Sequence, residues 1–351
     1  FQSWLLKNYP DLAVVVGTTC AVEAQSALSR GLANCAVFLE GRRKEIRAKT
    51  LLPDYDVFHE LRYFDSALSL DESFRAPIEF RGRKIGILIC EDSWEESEVR
   101  GRRLYRHSPT EALAKQGCDL LLNLSASPFD RAKRERQRAG ISESARRSRV
   151  NILYVNHFGG QDELLFDGDC FHLLPDGVFA AEKNEANDQI LLVDLDGAPR
   201  GAPRLTDPEL RFLEAMLVAG IRDYCRKNGF EKAVLGISGG IDSALVAALA
   251  CRALGPKNLT GLILPSKFSS SHSIEDAEIL AKNAGFEKRF VPIKMPHSTL
   301  QMMLQPFFQG IPEDITEENL QSRIRGLTVM AFANKTKALA LATGNRSEFA
   351  M

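Results

Sequence analysis

Val234-Leu235-Gly236-Ile237-Ser238-Gly239-Gly240-Ile241-Asp242-Ser243 is the stretch on which the reading of the fold turns. An apolar, β-branched run enters a Ser-Gly-Gly turn and leaves it as a helix-forming segment, the pattern of a buried strand feeding a helix. Glycines let the backbone turn tightly and come close to a ligand. The free N–H groups of the turn and of the helix start then point at one spot, which suits an anion. Ser238 and Ser243 add hydroxyl donors, and Asp242 fits beside phosphates when Mg²⁺ lies between them. No lysine follows the glycines, so this is neither the phosphate loop of kinases and GTPases nor a dinucleotide fingerprint.

Working outward, 233–237 reads as a strand, 242–254 as a helix, 259–265 as a strand, 273–284 as a helix and 339–343 as a strand. Alternation of this kind predicts a mainly parallel sheet covered on both faces. Upstream, 196–208 is dense in Gly and Pro and reads as a linker, with Pro208 near the first turn of a helix running to about residue 228. Further back, the runs 12–17, 35–40, 84–90, 118–124 and 151–157 read as buried strands, and 189–194 as another. Residues 131–150 read as an exposed helix. No internal repeat or low-complexity tract is visible.

At 351 residues the chain is long enough for two domains at roughly 150 residues each. Its 45 Lys+Arg balance 46 Asp+Glu, which argues against a dedicated nucleic-acid or membrane-surface binder. The hydrophobic content of 44% argues against disorder, and no apolar run approaches the ~18 residues of a membrane span. The seven cysteines are spread widely and include no C-x-x-C, which points to a reducing compartment, the cytoplasm. The stretch 131–149 holds eight Lys/Arg, but Glu135, Gln137, Ser142 and Glu143 interleave and aromatics are absent. That favours a solvated helix or an oligomer interface over a nucleic-acid surface.

Cys90 closes an apolar strand and opens a turn beginning Glu91-Asp92-Ser93-Trp94. Alone, a cysteine in a buried strand reads as a small core hydrophobe; at a strand's carboxyl end it also stands where α/β folds expose a nucleophile. Company decides between them. K-x-x-L-P-x-Y-x-V-F-x-E over 49–60, I-C-E-D-x-W over 89–94, Asn123 to Phe129, Tyr154-Val155-Asn156 and 159–168 together resemble the amidase domain of the nitrilase superfamily. S-G-G-x-D-S resembles the pyrophosphate loop of the ATP pyrophosphatase superfamily. The two in this order are similar to the glutamine-dependent NAD⁺ synthetase family, over roughly 12–351. Related amidotransferases that make GMP or asparagine use unrelated glutaminase domains. A purely scaffolding first half, serving an ammonia-only synthetase, is the remaining rival.

The resemblance implies an α/β protein: a nitrilase-like α-β-β-α sandwich over 1–195, a linker over 196–208, and a Rossmann-like ATP-pyrophosphatase sheet over 209–351. It implies that Cys90 attacks the amide of glutamine, that Lys49 stabilises the oxyanion and that Glu60 supports the lysine and the substrate. Tyr55, Glu91, Ser127 and Lys133 match its glutamine pocket. Ser238, Gly239, Gly240, Asp242, Ser243, Leu264 and Thr343 match ATP-binding positions, Asn319 and Arg323 match deamido-NAD⁺ contacts, and Asp242 with Glu348 matches a Mg²⁺ site. The partners implied are glutamine, ATP, deamido-NAD⁺ and further copies of the chain. The family also has a general-base glutamate ahead of its first matching strand. None occurs in 1–17, so the expectation is that a preceding segment and a following one are missing.

Overall fold

The structure, a computed structural model, describes residues 2–23, 28–94, 98–99, 102–103, 105–183, 186–188, 190–196, 209–267, 269–312 and 314–344, with the backbone alone at 98–99, 102–103 and 209. The chain divides into two compact units, 1–159 with 164–207, and 160–163 with 208–351.

In chain order the first part contains α1 (Gln2–Asn8), β1 (Ala13–Ala21), β2 (Leu32–Glu40), β3 (Arg43–Ala48), α2 (Glu60–Tyr63), β4 (Ile78–Phe80), β5 (Arg83–Ile89), β6 (Glu98–Val99), β7 (Arg102–Arg103), α3 (Pro109–Lys115), β8 (Leu120–Ser125), α4 (Arg131–Ser148), β9 (Asn151–Asn156), β10 (Phe158–Gln161), β11 (Leu164–Asp167), β12 (Cys170–Leu173) and β13 (Phe179–Lys183). β1, β2 and β3 form an antiparallel sheet, and β13-β12-β9-β8-β5-β4 form a mixed one whose centre, β5-β8-β9, is parallel. Side-chain alternation along the strands explains how they stack. In β5, Ile85, Ile87 and Ile89 join Ala36 and Phe38 of β2 in one apolar cluster, while Leu88 points the other way into a cluster with Leu113 of α3 and Ile141 and Ala145 of α4. On the far side of β2, Val37 and Leu39 take Leu5 of α1. The layers are therefore helix, sheet, sheet, helix.

The second part contains α5 (Glu209–Lys227), β14 (Ala233–Ile237), α6 (Ile241–Leu254), β15 (Leu259–Ile263), α7 (Ser271–Ala284), β16 (Glu287–Phe290), α8 (Lys294–Leu304), α9 (Ile315–Thr336) and β17 (Leu339–Ala340). Its sheet is parallel, in the order β16-β15-β14-β17. Leu235, Ile237 and Ile263 face α6 and α7, and Val234 and Leu262 face α9. The strand order reverses at β14, and open α/β sheets bind ligands at the carboxyl ends of the strands at such a point.

Three expectations need correction. Residues 190–194 form no strand; Ile190 and Leu192 are 76% and 88% exposed, since an apolar run becomes a strand only where a neighbour pairs with it. The last strand stops at Ala340, although Leu341 N–H still donates to Val234 O at 2.8 Å. α4 is not solvated throughout. Its Arg138 reaches inward to Asp169 (2.8 Å) and to Glu182, and Arg134 lies beside Asp167 (3.7 Å). Long aliphatic stems let arginines cross an apolar face to buried carboxylates, and those carboxylates lie more than thirty residues downstream of Arg134 and Arg138. The expected linker falls almost wholly outside the described residues.

Candidate functional site

In the first unit, the end of β5 decides the geometry. Cys90 has φ +48°, in the left-handed region, so the chain leaves the strand abruptly and makes a single tight turn over Cys90–Ser93. Such a conformation costs a residue with a Cβ about 1–2 kcal/mol and survives only where its surroundings enforce it. Here they do. Buried Asp92 accepts from Thr50 N (3.0 Å) and Leu51 N (2.8 Å) through one oxygen and from Ile89 N (3.0 Å) through the other. Ser93 Oγ donates to Cys90 O (3.1 Å), and Asn123 Nδ2 donates to Cys90 O (3.3 Å) and Ser93 Oγ (2.7 Å). The carboxylate of Asp92 thus ties the cysteine turn to the segment that carries Lys49.

Lys49 follows β3, its N–H held by Asn34 O at 2.8 Å, and its side chain is 2% exposed. Its Nζ donates to Glu60 Oε1 at 2.6 Å; Glu60 Oε2 is buried and has no partner among the described residues. Burial alone would lower the lysine's pKa. The negative charge of the Cys90 thiolate and then that of Glu60 outweigh it, so the ammonium is held above its usual range. Cys90 is governed by the opposite balance: burial pushes the thiol up, and Lys49 is the largest influence drawing it down. Asp92 is pushed up to about 7 by burial, against its backbone donors and Lys49. Lys49, Glu60 and Cys90 line one cavity of about 950 Å³, together with Phe58, Asn123 and Asn156.

Of the residues matched to a glutamine pocket, Tyr55 and Glu91 are brought together, Tyr55 Oη donating to Glu91 Oε1 at 2.7 Å. Lys133 Nζ lies 4.8 Å from the Trp94 ring centroid and 5.9 Å from that of Phe58. Ser127 is buried, its N–H donating to Asn156 Oδ1 (2.8 Å) and its C=O accepting from Asn156 Nδ2 (3.0 Å). None of the four is among the cavity's lining residues. The sequence reading assigned no role to Asp92, Asn123, Asn156 or Tyr105, whose Oη also donates to Glu91 Oε1 at 3.0 Å. The first three stand within the motifs at 89–94, 123–129 and 154–156, where the signal is a polar side chain at or just past the carboxyl end of a buried strand.

In the second unit, β14 ends at Ile237 and the Ser-Gly-Gly loop follows. Gly239 has φ +82°, and a Cβ there would stand 2.3 Å from Ser273 O, so backbone meets backbone and only glycine fits. Ser243 Oγ lies 3.1 Å from Ser238 Oγ and donates to Gly240 O at 3.0 Å, while Gly240 N–H donates to Ser238 Oγ at 3.1 Å. The serines thus preform the turn at the N-terminus of α6, with exposed Asp242 in its first turn. A cavity of about 210 Å³ opens beside the loop, lined by Ser238, Leu264, Ser273 and Arg325. The parallel register of β14 with β17 runs Thr343 toward the same sheet end. Asn319 and Arg323 both lie on α9 and are exposed, away from this cavity's lining. Glu348 lies outside the described residues.

Among the described residues the cysteines are free, no group of three or more His, Cys, Asp or Glu could hold a metal, and no helix is long and apolar enough to cross a membrane. Residues 213–351 match the NAD synthase family model. Over 99% of its length the chain is 42% identical to the glutamine-dependent NAD(+) synthetase of Synechocystis sp., covering 63% of that protein. Over 90% it is 37% identical to the Thermotoga maritima protein of the same name, covering 58% of it. The solved glutamine-dependent NAD+ synthetase of Acinetobacter baumannii, in complex with ADP, superimposes with a TM-score of 0.86 at 32% identity, over 98% of this chain and 62% of that one. The chain spans about three fifths of the length of these relatives. By sequence over nearly all its residues, and by fold, it is similar to the glutamine-dependent NAD(+) synthetases, and its second part to NAD synthase.

Proposed function

We propose that the chain is part of an enzyme that draws ammonia from glutamine at Cys90 and uses it, with ATP, to convert deamido-NAD⁺ to NAD⁺. The observation that carries this reading is the Lys49–Glu60 pair set in one cavity with a strained, nucleophile-bearing Cys90, in a chain whose second half matches NAD synthase. In this reading residues 1–195 are the glutaminase domain, 196–208 the linker and 209–351 the synthetase domain.

The Cys90 thiol gives up its proton as its sulfur attacks the side-chain amide carbon of glutamine, and the carbonyl oxygen takes the negative charge. Lys49 stabilises that oxyanion, and its bond to Glu60 fixes where the ammonium points. Collapse expels the amide nitrogen, which takes up the proton given up by the thiol and departs as ammonia, and leaves a thioester, which water cleaves to glutamate and the free thiol. Tyr55, Glu91, Ser127 and Lys133 bind the glutamine. In the second half, the loop Ser238, Gly239, Gly240 and Ser243 receives the ATP phosphates, and Leu264 and Thr343 flank the nucleotide. A carboxylate oxygen of deamido-NAD⁺, held by Asn319 and Arg323, attacks the α-phosphorus and pyrophosphate leaves. Ammonia then attacks the adenylated carbonyl and AMP departs. Positioning does most of this work.

Mg²⁺ accompanying a nucleotide needs only one or two carboxylates besides the phosphates. An exposed Asp242 beside the loop fits that demand, with Glu348 as the second ligand. The metal supplies neutralisation of phosphate charge. The protein works as a homo-oligomer in the cytoplasm. Cys90→Ala tests the scheme: glutamine-driven NAD⁺ formation is lost while ammonia-driven formation survives. Unchanged glutamine use overturns it in favour of the scaffold reading.

A further inference from the structure

Asn123 is out of keeping with its row in the sheet. The register across β5, β8 and β9 aligns Leu88, Asn123 and Tyr154, and Leu88, Leu121 and Tyr154 pack in the apolar cluster under α3 and α4. An apolar residue would suit position 123, because a buried amide is costly unless its hydrogen bonds are made. Asn123 is 1% exposed, and its amide is spent on the cysteine turn and on its own support. Nδ2 donates to Cys90 O at 3.3 Å and to Ser93 Oγ at 2.7 Å, using both protons, and Ser93 Oγ donates in turn to Cys90 O at 3.1 Å. Oδ1 accepts at 2.7 Å from Ser125 Oγ, two positions along β8 and on the same face. With the amide turned over, Oδ1 would face Cys90 O, acceptor against acceptor, so one orientation alone fits. Beside Ser125 stands the buried Tyr154 phenol, itself held by Gln137 Nε2 of α4 at 2.5 Å. The backbone N–H of Ala126, just past β8, reaches the Cys90 thiol itself.

We propose that Asn123 is a positioning residue for glutamine hydrolysis: it grips the Cys90 carbonyl so that residue 90 keeps its left-handed backbone and its thiol stays on the lining of the glutamine cavity. This role rests on the function proposed above. It is distinct from the tie made by Asp92, which holds the N–H groups of Thr50, Leu51 and Ile89. A strained turn relaxes toward an ordinary backbone conformation once its restraints go, and Cys90 at φ +48° carries such strain. Asn123 also lines the cavity, but with both protons engaged it offers none to glutamine, so it acts through Cys90. Ser125 supplies the proton that fixes the amide's orientation, so the grip on Cys90 extends along β8. The residues proposed above to bind glutamine are untouched by a change at 123, which places the effect in the chemical step.

The test compares wild type, Asn123→Leu, Asn123→Asp and Ser125→Ala in glutamate release from glutamine, with urea unfolding as the check on folding. Misplacing a reacting group by about 1 Å costs up to about 100-fold. Asn123→Leu is expected to lower kcat about 10- to 100-fold, to leave KM for glutamine within about threefold, and to slow alkylation of Cys90 by iodoacetamide. Asn123→Asp gives a readout that a merely structural role would not move. Its protonated carboxyl keeps one donor for Cys90 O, whereas the carboxylate sets an acceptor against it. Burial holds such a carboxyl protonated above its usual range, so activity relative to wild type should be highest at acid pH and fall about tenfold as pH rises. Lys49, Glu91, Asp92, Lys133 and Tyr154, the titratable groups around the Cys90 turn, are common to both proteins, so a pH limb found only in Asn123→Asp belongs to residue 123. Ser125→Ala should lower kcat several-fold. Should Asn123→Leu fail to fold, Ser125→Ala and the pH profile of Asn123→Asp decide. A folded Asn123→Leu within about threefold of wild-type kcat overturns the proposal, as does an Asn123→Asp profile parallel to wild type. A wild-type protein that releases no glutamate from glutamine refutes the function itself.

Discussion

Replacing Lys49 by Met separates its two jobs. The lysine is almost wholly buried, and its Nζ is the sole partner of Glu60 Oε1 among the described residues; Oε2 has none. Lys49→Met therefore strands a carboxylate that is only 17% exposed. Breaking a buried pair from one side costs about 3–5 kcal/mol, whereas replacing both partners by apolar groups of similar size is often close to neutral. Lys49→Met should thus lose stability by that amount in urea unfolding, and Lys49→Met/Glu60→Leu should recover most of it, the coupling appearing as non-additivity. Catalysis behaves differently. Loss of an oxyanion donor lowers kcat by about 10²- to 10³-fold, and removing Glu60 cannot restore it. Glutamate release from glutamine is therefore lost in both variants, while ammonia-driven NAD⁺ formation continues. If Lys49→Met releases glutamate within about threefold of wild type, the oxyanion role is refuted. If the double variant is no more stable than the single one, the account of the pair fails.

Two further outcomes can be checked. Gly239→Ala places a Cβ 2.3 Å from Ser273 O at φ +82°, so KM for ATP in the ammonia-driven reaction should rise at least about tenfold, from strain of about 1–2 kcal/mol plus the collision; an unchanged KM would show that the loop does not meet the nucleotide. Asp92, raised from 3.8 to about 7, keeps its proton in the folded protein between those values, where the unfolded chain has released it. Folding then binds protons, so stability falls as pH rises from about 4 to about 7 and levels off above. Asp92→Asn should lose that slope and should be weaker at acid pH, its amide opposing the Ile89 N–H; equal slopes in urea titrations at pH 5 and 7.5 would sink the argument.

Much of the architecture was legible because its signals are local. The 233–243 stretch carried strand, turn and helix start within a single window, and the structure places β14, the loop and α6 there. The buried parallel strands β5, β8 and β9 stand out as continuous apolar runs because both faces are covered. Cys90, Lys49 and Glu60 were found through motif resemblance, and the structure brings them into one cavity. The strand expected over 189–194 does not form at 190–194, because pairing depends on a neighbour that the window does not contain.

The sequence by itself determined the order of the two halves, the nucleotide-type loop and the identity of the cysteine worth testing, since each is written in contiguous residues. Tertiary structure alone decided the rest. It put the Asp92 carboxylate on the backbone beside Lys49, 41 and 42 positions earlier in the chain. It turned Arg138 inward to Asp169 and set Arg325, its Nε donating to Leu264 O, on the lining of the cavity beside the nucleotide loop. The physical reason is common to all three: whether a polar group is satisfied, stranded or poised depends on burial and on groups distant in sequence, and neither is fixed until the chain has packed.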